Sequence, residues 1–134
     1  MDLKVAREVA EVEFARWAEA MDLDLDTQGL DADDIKSLED GKRTLLRALV
    51  RGVLSIDEKG QAVVQPQVGD WKPIVFHEPS GATFMATDAK KKGQDVAKLN
   101  VTMADMTGTH AALFSKLAGR DWKLCRAVAG FLLA

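Results

Sequence analysis

The chain contains no tyrosine, a single cysteine (Cys125), two histidines and three prolines in 134 residues. One thiol excludes an internal disulfide framework and fits a reducing cytoplasm. No run approaches the roughly 18 apolar residues of a helical membrane span. The start, Met1-Asp2-Leu3-Lys4, enters a charged helical pattern without the apolar stretch of a signal peptide. The glycines are too dispersed to cradle a phosphate, and Gly-x-x-x-x-Gly-Lys-Ser/Thr occurs nowhere. Without HExxH or a second cysteine, no zinc site is expected.

What is present is globular. Hydrophobic residues make up 47% and charged residues 29%, which excludes a disordered or collagenous chain. The length suits about one domain of roughly 100–200 residues. Charge is lopsided: residues 1–69 hold 15 acids and 9 bases, whereas 70–134 hold 6 acids and 9 bases. Nine carboxylates between Glu19 and Asp40 face only Lys36. Two solvated faces of a soluble fold would suffice to explain this. The basic half, with Lys90-Lys91-Lys92, falls short of a dedicated nucleic-acid binder.

Periodicity predicts an α+β fold, mainly helical with a small antiparallel sheet. Ala6, Ala10, Phe14, Trp17 and Met21 recur at helical spacing, with Val5, Val9 and Val12 beside them. Arg7, Glu8, Glu11 and Arg16 form the opposite face. Asp22-Leu23-Asp24-Leu25-Asp26 alternates and reads as a loop. A second helix should open near Asp31–Asp34, whose carboxylates can accept from unpaired amides. Its apolar stripe is Ile35, Leu38, Leu45, Leu46, Leu49 and Val53. Gly41 weakens its middle by about 1 kcal/mol relative to alanine and marks a possible break. Lys42, Arg43, Arg47 and Arg51 gather toward its C-terminal end, where the helix dipole is negative.

A hairpin is expected over residues 53–65, with Asp57-Glu58-Lys59-Gly60 as its turn. A strand over 73–77 runs into Glu78-Pro79-Ser80-Gly81, and Thr83-Phe84-Met85 is a candidate partner strand. From Gln94 three short helices follow, with stripes at Val96, Leu99, Met103 and Met106, then Ala112–Leu117, then Trp122–Leu132. Asp121 is expected to cap the last of these. Residues 1–69 thus form a helical pair plus hairpin and residues 70–134 a strand-turn plus helices, within one compact unit.

Titratable groups suited to catalysis are few. Cys125 sits beside Leu124 and Val128 like a buried, inert thiol, so a pair with His110 is disfavoured. His77 and His110 read as structural or surface histidines. Asp22-x-Asp24-x-Asp26 opens like a calcium loop, but the sixth and eighth positions are Thr27 and Gly29; only Asp33, at the twelfth, fits. No enzyme, metal or cofactor is expected.

The second half carries a resemblance. Ile74 to Gly81 is an apolar strand ending in a Pro-Ser-Gly turn, followed by a lysine-bearing segment. A helix then ends in Met106-Thr107-Gly108-Thr109, and Leu113-Phe114-Ser115-Lys116-Leu117-Ala118-Gly119-Arg120-Asp121 leads into an apolar helix from Trp122 to Leu133. This order is similar to the tail assembly chaperones of long-tailed phages, especially the Mu-like contractile-tail type. The resemblance implies a non-catalytic, self-associating protein of the bacterial host cytoplasm. It would bind the tape-measure protein, keep it soluble, and help tail tube subunits assemble around it. The expected partner surface is Leu113, Phe114, Leu117, Trp122, Val128, Phe131 and Leu132. The alternative is a small nucleic-acid-binding regulator using Lys90–Lys92 and Lys98, whose affinity would fall steeply with salt.

Overall fold

Nine elements follow one another in the computed structural model, which describes residues 6–88 and 95–133. They are α1 (Arg7–Ala20), α2 (Ala32–Arg51), β1 (Leu54–Ile56), β2 (Ala62–Val64), β3 (Ile74–Phe76), α3 (Gly81–Asp88), α4 (Asp95–Thr107), α5 (Ala111–Lys116) and α6 (Gly119–Leu133). The fold is mainly helical α+β. Val5 and the lysine run 90–92 lie outside the described residues. Among the described residues, no helix is long and apolar enough to cross a membrane.

The sheet is antiparallel in the order β1-β2-β3. Leu54 pairs with Val64 and Val64 with Ile74; Ile56 pairs with Ala62 and Ala62 with Phe76. These two cross-strand rows face the core, while Ser55, Val63 and Val75 form the outward row. The sheet joins the two halves of the chain, because β2 precedes residue 70 and β3 follows it. β1 lies against α1 and α2, β2 against α6, and β3 against α4. One hydrophobic core runs from Ala10 of α1 to Leu132 of α6.

Helix α1 buries Ala10, Phe14, Trp17 and Ala18. Val9 and Val12, which the periodicity sets beside this stripe, are instead 50% and 65% exposed. Arg16, read as part of the solvated face, clamps the hairpin. Its guanidinium donates to the carbonyls of Asp57 (2.7 Å) and Ile56 (2.8 Å) and to Glu13. Asp57 Oδ1 accepts from the amides of Lys59 and Gln61, closing the turn. At Gly60 φ is +79°, and a Cβ there would lie 2.5 Å from that of Ala20, so only glycine lets the turn meet α1.

Helix α2 opens at Asp31, whose side chain accepts from the amide of Asp34 at 2.8 Å. It runs unbroken through Gly41. Its buried residues begin only at Leu45; the first three turns carry Ile35 and Leu38 half-buried and otherwise mostly exposed residues.

Thr83-Phe84-Met85 is helical, not a strand, because Ser80 and Thr83 form a reciprocal N-terminal cap. Ser80 N donates to Thr83 Oγ1 at 3.1 Å, and Thr83 N donates to Ser80 O at 3.1 Å. Thr83 Oγ1 also donates to Asp105 of α4. Asp121 does not cap its own helix, which already begins at Gly119. Its carboxylate is turned toward the β2–β3 connector, accepting from Gln67 N (2.9 Å) and Val68 N (3.1 Å).

Candidate functional site

The C-terminal helices spend most of their apolar stripe on the protein's own interior. Phe114 and Leu117 of the α5 region and Val128 and Leu132 of α6 are buried in the core, a correction to their expected role as partner surface. Both stripes are inward-facing because α5 and α6 pack on α4, and α6 also on α2 and β2. Leu113, Trp122 and Phe131 are half-buried. Trp122 is committed on two sides: its Nε1 donates to Asn100 Oδ1 at 2.8 Å, and the Arg126 guanidinium lies 5.3 Å from its ring centre. Phe131 stands edge-on to Phe14 and Trp17 at 5.7 and 6.0 Å.

The other side of Phe131 borders a groove between α2 and α6. Residues early in α2 lie opposite residues late in α6, so the two helices run antiparallel. At one end the groove holds about 340 Å³ and is lined by Asp34, Ser37, Leu38 and Gly41 of α2 and by Ala127, Gly130 and Phe131 of α6. It continues past Ser37, Asp40, Gly41 and Thr44 of α2 and past Lys123, Arg126 and Ala127 of α6; the Asp40 carboxylate is held by Arg43 at 3.3 Å. At its far end a depression of about 250 Å³ lies between Arg47 and Arg51 of α2 and Arg120 and Lys123 of α6. From Asp34 to Arg51 the floor spans about 25 Å at 1.5 Å per helical residue.

The two ends differ in chemistry. The first is mostly apolar, with Asp34 its one charged lining residue, and belongs to the N-terminal half of α2. The second carries four exposed cations, none ion-paired with a described carboxylate. Asp121 also borders it, but that carboxylate is 1% exposed and holds the Gln67 and Val68 amides. Arg7 adds a further cation beside Arg47 and Arg51.

Cys125, His77, His110 and the acidic loop do not form one cluster. The Cys125 thiol is fully buried, and burial, then the negative charge of Asp121, pushes its pKa up from 9.0 to about 12. It is therefore protonated and a poor nucleophile at neutral pH. His77 is an exposed strand-end residue whose backbone amide donates to Met106 O and whose Nδ1 meets Gln61 Nε2 at 2.8 Å. His110 is exposed and precedes α5 without a side-chain cap bond. In the acidic loop, Asp24 and Asp26 accept from the amides of Asp26 and Gln28, shaping turns. Among the described residues no cluster of three or more acids, thiols or imidazoles could hold a metal.

The groove was not visible in the sequence. Arg47 and Arg51, four apart, invite a reading as helix-dipole partners, and Arg120 and Lys123, three apart, look like a solvated face. Only the antiparallel packing of α2 on α6 makes them one cluster. No family model, curated protein sequence or solved structure matches this chain.

Proposed function

We propose that this protein is a non-catalytic assembly chaperone of a phage or prophage tail. It acts in the bacterial host cytoplasm, self-associates, and shields an amphipathic helical segment of the tape-measure protein until tail tube subunits enclose it. One observation carries the reading. The first three turns of α2 hold no fully buried residue and leave Ile35 and Leu38 half-buried, with Leu38 lining an apolar groove against α6. A soluble chain that keeps such a surface open is suited to cover an apolar helix by helix-in-groove contact. The order of strand, proline turn and helices over residues 74–133 supports the same reading, because it is the order in which the resemblance to tail assembly chaperones lies.

Co-expression tests it. A tape-measure protein encoded beside this chain should move from the insoluble to the soluble fraction in its presence and co-purify with it. If the rod is equally insoluble with and without the chain, the proposal fails.

A further inference from the structure

We infer that the α2/α6 groove seats an acidic amphipathic helix of a partner protein. The partner's apolar side chains would fill the Leu38–Phe131 end, and its carboxylates would meet Arg47, Arg51, Arg120 and Lys123. This inference rests on the chaperone reading for the partner's role, but its own grounds are geometric and electrostatic.

The groove floor, about 25 Å long, matches a partner helix of four to five turns. Along it the lining passes from the apolar surface around Leu38, Gly41 and Phe131, bordered by Asp34, past Asp40, which Arg43 already pairs, to the facing cations at the far end. A ligand that matches both halves must itself be apolar over one half and anionic over the other. Among the described residues the four cations of the basic half also make no ion pair. Arg7, Arg16 and Arg43 have carboxylates within ion-pair distance, whereas Arg47, Arg51, Arg120 and Lys123 have none among the described residues. Like charges at this spacing repel one another. Incoming carboxylates turn that repulsion into attraction and fix the direction in which the helix lies.

The chain's own acidic stretch is ill suited to the seat. Leu23 and Leu25 pack on the core, and Asp24, Asp26 and Asp31 already accept from nearby backbone amides. Nucleic acid fits less well than a helix, because half of the groove is apolar and Trp122, the aromatic beside the cations, already lies under Arg126.

Fluorescence anisotropy on the full chain tests the inference. The probe is a labelled 18-residue helical peptide with leucines along one stripe of its first half and glutamates along its second, made in both chain directions. One direction should bind. The double variant Arg47→Glu/Arg120→Glu should weaken binding at least about tenfold and favour the peptide whose glutamates are replaced by lysines. Leu38→Asp should weaken both peptides. Arg51→Glu/Lys123→Glu repeats the charge test in case the first pair misfolds, with circular dichroism checking each variant.

Binding insensitive to both charge reversals would overturn the inference. So would tighter binding to an 18-base-pair DNA duplex than to the peptide. Sedimentation showing self-association that the same reversals abolish would assign the groove to a second copy instead. The two readings separate cleanly. If a charge-reversed chain still solubilises the tape-measure protein, the groove assignment falls and the chaperone reading stands. If the peptides behave as described but the wild-type chain solubilises nothing, the reverse holds.

Discussion

The ring of Phe131 lies against the bare Cα of Gly41: a Cβ built on Gly41 would come 3.0 Å from Phe131 Cε2. A residue that reads as a weak point in α2 is the place where α6 seats its last aromatic. Phe14 and Trp17 meet Phe131 edge-on on its inner side, so the ring can relieve such a contact only by shifting outward along the groove.

Gly41→Ala should therefore change sign with context. In the wild-type background, overpacking of about 1–3 kcal/mol outweighs the gain of about 1 kcal/mol in helix propensity, so the variant is destabilised. In a Phe131→Ala background the clash is gone, and the same substitution should stabilise by about 1 kcal/mol. A urea-denaturation double-mutant cycle measures both.

Asp121 ties the β2–β3 connector to the first turn of α6 through two backbone amides. Asp121→Ala removes both acceptors and should cost about 2 kcal/mol, with the connector opening first. Asp121→Asn keeps one acceptor and should lose less. Amide exchange at Gln67 and Val68 reports the local effect, and the unfolding midpoint reports the global one.

Arg16 holds the hairpin turn to α1 by a two-pronged bond to consecutive carbonyls. Arg16→Lys supplies a single ammonium where a fork is needed and should recover less than half of the stability lost in Arg16→Ala, itself about 1–2 kcal/mol. Thermal melts of the three chains check this.

Alkaline stability follows from Cys125. Its thiol is raised from 9.0 to about 12 in the folded chain, so the folded state holds its proton where the unfolded state has released it. The resulting stabilisation is complete below pH 9 and is lost as pH climbs toward 12, at up to about 1.4 kcal/mol per pH unit. Cys125→Ala should show a shallower decline over that window. The difference between the two pH–stability curves isolates the thiol from lysines that titrate there too.

Much of the fold was legible because local chemistry decides it. Asp31 opens α2, the Asp57–Gly60 turn sets the hairpin, and the spacing of Met103, Met106, Phe114 and Val128 marks buried helix faces. Thr83 misled because its hydroxyl does the capping work usually sought from glutamate, while Phe84 and Met85 resemble strand residues. Arg16 and Asp121 misled because their partners lie about 40 and 53 residues away. The candidate site was illegible for the same reason. It belongs to neither α2 nor α6 alone, and no periodicity within one helix announces the face that its neighbour completes. The apolar stripes of α5 and α6 are plain in the sequence, but Phe114, Leu117, Val128 and Leu132 serve the interior.

Hydrogen exchange of this chain with and without a tape-measure protein encoded beside it tests the central claim most directly. Slowed exchange should concentrate in the first three turns of α2, around Ile35 to Gly41, and in the last turns of α6, around Ala127 to Phe131. Protection confined to α3 and α4, or none anywhere, would contradict it.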